Sequence, residues 1–154
     1  MKLLVAGLII CIIIIAVLVY ALFFCYDVLK REYSQKQKMT RNFKLLNLWF
    51  EKKIMDEKFI AQYLSDRKYN SVAIYGFGYI GELLYKELRH LSINVDYIID
   101  NATKNTGLKV LSLKDEFPKT DAVIVAVSYD YENIEKKIVA KTDAPVVFLE
   151  EMLQ

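Results

Sequence analysis

The chain has 154 residues, of which 55% are hydrophobic and 26% are charged, and its net charge is +2. This length allows one compact domain and little more. The charge is uneven: six basic residues against two acidic ones between positions 27 and 44 give that stretch +4. Because Lys2 adds one more, the chain from Leu45 onward carries −3. A nucleic-acid-binding domain would concentrate positive charge on its folded part, so we expect no nucleic acid partner.

A run of 22 residues from Leu3 to Phe24 contains no charged side chain. As a helix this run would be about 33 Å long, enough to cross a hydrocarbon core of about 30 Å. The strand that Ile12–Ile15 would favour in water is excluded in lipid, because it would leave its backbone unpaired. A cleaved signal peptide would be shorter and would end in small residues, whereas Leu22–Cys25 is mostly bulky. We therefore predict a retained anchor over residues 1–26 that contacts membrane lipid through Leu3–Phe24.

The residues after the apolar run predict its orientation. Because positive residues stay on the cytoplasmic side, we expect a single-pass protein of the inner (cytoplasmic) membrane, with its N-terminus outside and its C-terminal domain in the cytoplasm. Both cysteines, Cys11 and Cys25, lie in or beside the anchor, so the domain has no thiol for a disulfide or a zinc site. The basic residues that predict the orientation, all between positions 27 and 44, are Lys30, Arg31, Lys36, Lys38, Arg41 and Lys44.

Residues 27–70 are predicted to form a connector whose first part is basic and whose helical pattern starts at Phe43. Two amphipathic helices are expected in it, the second with Asp56 as its N-cap. We expect their apolar faces to pack against the domain, and a surface for a partner or for lipid is the alternative. The apolar positions are Phe43, Leu46, Trp49, Phe50 and Ile54 in the first helix, and Phe59, Ile60, Tyr63 and Leu64 in the second.

Residues 71–154 alternate between strand and helix patterns, which predicts an α/β fold. Such alternation implies a small, doubly wound, Rossmann-like parallel sheet of strand order 3-2-1-4-5, preceded by the transmembrane and linker helices. Ser112 is expected to begin one or two helical turns before Pro118. Helices are predicted over Tyr79–Leu91 and Asp130–Ala140, and strands over Val72–Tyr75, Val95–Ile99, Lys109–Leu111, Ala122–Val127 and Val146–Phe148.

A glycine motif, Gly76-Phe77-Gly78-Tyr79-Ile80-Gly81, lies between the first strand and the first of these helices. This GxGxxG pattern in this context is typical of dinucleotide-binding loops. Gly76 would allow the tight turn, Gly78 would let the backbone approach a diphosphate, and Gly81 would let the helix pack close to the strand. The N–H groups at the helix start and the helix dipole would hold a phosphate.

Asp100 closes the second strand, where a carboxylate suits the hydroxyl pair of a ribose. It would repel a 2′-phosphate, so the pattern favours NAD over NADP. The end of the fourth strand is expected to lie along the same cleft. The alternative is that the glycines only permit close packing in a domain that binds nothing. The predicted cofactor-binding residues are Gly76, Phe77, Gly78, Tyr79, Ile80, Gly81, Asp100, Asn101, Ser128 and Tyr129.

From Ser71 to Asp100, and again over Asp121–Val127, the chain resembles the small Rossmann module of bacterial cell-surface polysaccharide biosynthesis proteins. Such modules precede membrane-bound sugar-nucleotide dehydratases of the capsular type, and they form the sugar-nucleotide-binding half of certain sugar acetyltransferases. The resemblance implies NAD or a nucleotide-sugar as the ligand. It carries no catalytic residue onto this chain, because the catalytic domain of those relatives has no counterpart in these residues.

No catalytic constellation accompanies the glycine loop. The one Tyr-x-x-x-Lys spacing, Tyr26 with Lys30, precedes the domain, and the sole histidine, His90, ends a helix. We expect no metal site and no catalysis by this chain alone. The expected function is a membrane-anchored nucleotide, nucleotide-sugar or NAD-binding module of cell-envelope polysaccharide biosynthesis, acting as a homo-oligomer or with a synthesis enzyme. The alternatives are a nucleotide-sensing subunit of a membrane transporter, an oxidoreductase completed by oligomerisation, and an empty Rossmann shell used for protein contact.

Overall fold

The computed structural model describes residues 1–101 and 107–154, and their side chains except those at positions 2–6 and 8. The chain divides into two compact units, Met1–Met39 and Thr40–Gln154. In chain order the elements are α1 (Lys2–Met55), α2 (Phe59–Asp66), β1 (Ser71–Tyr75), α3 (Tyr79–His90), β2 (Asn94–Ile99), β3 (Val110–Leu111), β4 (Ala122–Val125), α4 (Tyr131–Val139), β5 (Val146–Phe148) and α5 (Leu149–Met152).

The apolar run near the N-terminus lies in α1, which continues without a break for 54 residues. The side chains from Ile9 to Phe24 are exposed. Between Ile9 and Met55, α1 is long enough to cross a membrane, and its most apolar window has a mean hydropathy of 3.0. The structure therefore has one helix near the N-terminus whose length and composition suit a membrane span, among the residues it describes.

The second unit is built on a five-stranded sheet of order β3-β2-β1-β4-β5. All four strand pairs are parallel, with β1 at the centre between β2 and β4. The predicted α/β, Rossmann-like fold and its strand order are therefore confirmed. Because β1 and β4 follow each other in the sheet but not in the chain, their carboxyl ends form the switch point where such sheets open a crevice.

Apolar residues cover both faces of the sheet, as buried parallel strands require. On β1, Val72 and Ile74 face one cluster, and Ala73 between them faces the other. The first cluster also holds the end of α1 with α2, α3 and α5, whereas the second holds α4. Packing on both faces fixes the helices against the strands and so positions the loops at the strand ends.

The end of α1 packs on the sheet through only part of the predicted stripe: Trp49 is buried and Leu46 packs against the same cluster, as expected. Leu45 and Trp49 are each 4% exposed, whereas Phe43, Phe50 and Ile54 are 63%, 68% and 70% exposed. The prediction that these three side chains pack in the core is wrong. The segment has apolar residues on two faces, and the face around Leu45 and Trp49 is the one that docks.

Two shorter elements also differ from the predictions. Asp56 is not the N-cap of α2, which has Lys58 in that position; Asp56 instead accepts the Lys58 N–H at 3.0 Å. Ser112 begins a turn and not a helix, because its N–H and hydroxyl both donate to the Asp115 carboxylate, at 2.7 and 2.9 Å. These two bonds lower the pKa of Asp115, and they close the turn where the backbone bonds of a helix would otherwise start.

Replacing Trp49 by alanine should destabilise the second unit strongly, because it leaves a large hole in the first cluster. We expect a loss of about 3 to 5 kcal/mol in the free energy of unfolding. The neighbouring Phe50→Ala is the control, and its exposed ring should cost less than about 0.5 kcal/mol. Urea unfolding of the full chain in detergent measures both, and equal losses for the two variants would contradict the observed docking face.

Candidate functional site

A cavity of about 300 Å³ opens at the carboxyl ends of the central strands. The loops after β1, β2 and β4 meet there, which is the position that the switch point of the sheet predicts. Seven of the ten residues predicted from the sequence line it: Gly76, Gly78, Tyr79, Ile80, Asp100, Asn101 and Tyr129.

Two glycines of the loop are required by the fold itself. Gly76 has a φ of +85°, in the left-handed region, and a Cβ there would lie 2.5 Å from Cγ1 of Val127. A Cβ on Gly81 would lie 2.1 Å from the carbonyl oxygen of Gly76. The tight turn at Gly76 and the close packing of α3 at Gly81 are therefore confirmed. Because it lies on the face of α3 that packs against the turn at Gly76, Gly81 does not line the cavity.

Gly78 differs from the other two glycines, because neither its backbone conformation nor its packing requires a glycine at this position. Its φ is −76°, which any residue adopts, and a Cβ built there has nothing within 4 Å. It is the N-cap of α3, where it makes no side-chain cap hydrogen bond, and it lies in the cavity wall. A side chain at this position would project into open space at the start of α3, where a ligand would lie.

Asp100 ties the end of β2 to the glycine loop. Its carboxylate accepts the N–H of Phe77 at 2.5 Å, while the N–H of Gly76 donates to the Ile99 carbonyl at 2.9 Å. Hydrogen bonds to a carboxylate are stronger than neutral ones, so Asp100 holds the loop in its turn. Phe77 itself does not line the cavity, since its ring is buried edge-on against Tyr85, with centroids 5.9 Å apart.

Ser128 follows β4 but is also absent from the cavity wall. It is 7% exposed, and its hydroxyl donates to Oδ1 of Asn42 at 2.6 Å. Asn42 lies on α1 within the second unit and lines the cavity in its place. Sequence reasoning missed Asn42, because a contact across 86 positions leaves no local pattern.

Other lining residues missed from the sequence come from the strand ends and the loop after β3. They could have been found from the rule that the carboxyl ends of neighbouring parallel strands share one edge. Among them, Tyr75 has its pKa raised, first by burial and then by nearby Tyr129 and Asp100. Its phenol therefore stays protonated and can donate a hydrogen bond. Besides Asn42, the lining residues that were not predicted are Tyr75, Ile99, Leu113, Ala126 and Val127.

The charges around the cavity suit a ligand that carries both an anion and hydroxyl groups. The first N–H groups of α3 have no partner within the helix, and the dipole makes this end positive. Within the described part of the chain no lysine or arginine lines the cavity, so backbone groups would have to hold an anion. Asp100 adds an acceptor at the other side. His90 is exposed at the far end of α3, and the residues described include no metal-binding group of three acidic, histidine or cysteine side chains.

The fold and the cavity together define a Rossmann-like α/β protein with a crevice at its switch point. Comparisons with protein-family models, curated proteins and solved structures give no match for the chain. The candidate site is therefore defined by its geometry: a glycine turn, the start of α3, the Asp100 carboxylate and the wall formed by Asn42.

Gly81→Ala should destabilise the second unit, because the new methyl group would collide with the backbone of Gly76. We expect a loss of about 2 kcal/mol or more in the free energy of unfolding. Gly78→Ala is the matched control, with open space around it and an expected cost under about 1 kcal/mol at an N-cap. Urea unfolding of both variants measures the difference, and a stable Gly81→Ala protein would show that α3 does not need this approach.

Proposed function

We propose that this protein is a membrane-tethered nucleotide-binding module, in which the second unit holds the phosphate of a nucleotide at the start of α3. Gly78 carries the proposal. Neither backbone conformation nor packing requires glycine there, whereas a phosphate approaching the backbone does. The 12-residue α3 supplies N–H groups and a dipole at this point.

Asp100 supports the ribose part of the proposal. A carboxylate has room for several hydrogen bonds, so one that accepts the Phe77 N–H can accept ribose hydroxyls as well. Its negative charge disfavours a ribose with a 2′-phosphate. The proposed ligand is therefore a nucleotide with free ribose hydroxyls, which includes NAD and nucleotide-sugars.

Binding without catalysis is the role we propose for this chain. Tyr75 is a protonated donor, and the cavity wall brings no histidine, lysine or cysteine to a ligand in the part of the chain that is described. The six basic residues between positions 27 and 44 support a cytoplasmic location for the second unit. A role in cell-envelope polysaccharide synthesis, either as a homo-oligomer or with an enzyme partner, stays the prediction drawn from the resemblance.

A nucleotide-sensing subunit of a membrane transporter is the second candidate. It is favoured by one observation: Asn42 of the cavity wall belongs to α1, the helix that also contains the apolar run. A ligand beside Asn42 would therefore touch the helix that is long enough to span a membrane. Specific co-purification of the full chain with a multi-span membrane protein would support this candidate over a free-standing module.

Gly78→Asp should abolish nucleotide binding without weakening the fold. The new carboxylate would put bulk and negative charge where the phosphate is expected, yet aspartate is a favoured N-cap and has space here. Thermal-shift assays of the full chain in detergent, with ADP, UDP, UDP-glucose and NAD, measure both effects. A ligand at 100 times its dissociation constant should stabilise the wild type by about 2.7 kcal/mol. No shift with any of the four, or an undiminished shift in Gly78→Asp, would reject the proposal.

A further inference from the structure

The path that a long ligand would take across this site is blocked just after β4. A dinucleotide on a Rossmann-like sheet runs from the end of β2, past the start of the first helix, to the end of β4. Here the cavity begins at Asp100 and reaches Ala126, Val127 and Tyr129 after β4, whereas Ser128 among them is closed off. Ser128 is 7% exposed, because α1 lies over it and Asn42 accepts its hydroxyl hydrogen at 2.6 Å.

Asn42 is held firmly in this position. About one and two helical turns further along α1, Leu45 and Trp49 are each 4% exposed in the core of the same unit. These two anchors fix the helix, and the bond to Ser128 fixes the side chain. Asn42 is therefore a wall of the cavity, since rotating its side chain away would leave the buried Ser128 hydroxyl without its acceptor, and moving the helix would disturb the packing of Trp49.

We infer that the cavity takes a single nucleotide, a nucleoside mono- or diphosphate, and that Asn42 ends the site at the phosphate. The second nucleotide of NAD, or the sugar of a nucleotide-sugar, then stays in solvent. The volume of about 300 Å³ agrees with this, because it is at the lower end of the range for small-molecule pockets. The inference rests on the proposed function, and it narrows the ligand class.

The test compares each nucleoside diphosphate with its longer derivative. Isothermal titration of the full chain in lipid nanodiscs would use ADP against NAD, and UDP against UDP-glucose. For the wild type, the longer ligand should bind no more than about threefold tighter than its diphosphate, or more weakly, because its added half makes no contact. In Asn42→Ala the ratio should shift by about tenfold towards the longer ligand, which gains room along β4.

Two further variants separate this effect from damage to the fold. Asn42→Ala leaves the Ser128 hydroxyl buried without its acceptor, so the double variant Asn42→Ala/Ser128→Ala removes both partners and should shift the ratio equally. Asn47→Ala, on the exposed part of the same helix, should leave the ratio unchanged. Comparing ratios between variants cancels the difference in charge between a diphosphate and its longer derivative.

Each outcome bears on the inference. If NAD or UDP-glucose binds the wild type at least tenfold tighter than its diphosphate, the inference is overturned while the proposed function stands. An unchanged ratio in both Asn42 variants also overturns it, since Asn42 would then not end the site. If none of the four ligands binds the wild type, the proposed function fails and the inference fails with it.

Discussion

The approach of α3 to the end of β1 is the constraint on which the site depends. A Cβ on Gly81 would lie 2.1 Å from the Gly76 carbonyl oxygen, so only a glycine lets the helix come this close. The approach brings the positive end of α3 to the switch point between β1 and β4. It also forces the turn at Gly76, whose φ is +85°. The cavity is the space left above this turn.

Asp100 and Gly78 are the two residues that make this packing arrangement a candidate binding site. Asp100 stabilises the turn from the neighbouring strand by accepting the Phe77 N–H, and its carboxylate also forms part of the cavity wall. Gly78 lies between the two glycines that the fold requires and has no structural reason of its own. A loop that served only packing would need Gly76 and Gly81, and it would tolerate a side chain at position 78.

The sequence predicted the sheet and the glycine turn because their signals are local. Five apolar strand patterns, helical spacing and GxGxxG each occupy a short window, and parallel crossovers leave few strand orders. The docking of α1 was not predictable in this way. The predicted stripe held Trp49 together with Phe43, Phe50 and Ile54, and only the shape of the sheet selects Leu45 and Trp49 for burial. The same docking brings Asn42 to Ser128, so the residue that closes the cavity was missed, and Ser128 was placed in a cleft that α1 covers.

Asn42 belongs to the second unit, so a nucleotide in the cavity would be held within that unit alone. In the proposed site, the backbone N–H groups at the start of α3 bind a phosphate. Amide hydrogen exchange of the full chain in nanodiscs, with and without saturating ADP or UDP, measures whether these groups are protected. We expect slower exchange at residues 78–81 and no change within α4. Unchanged exchange at residues 78–81 with a nucleotide bound would contradict phosphate binding at the start of α3.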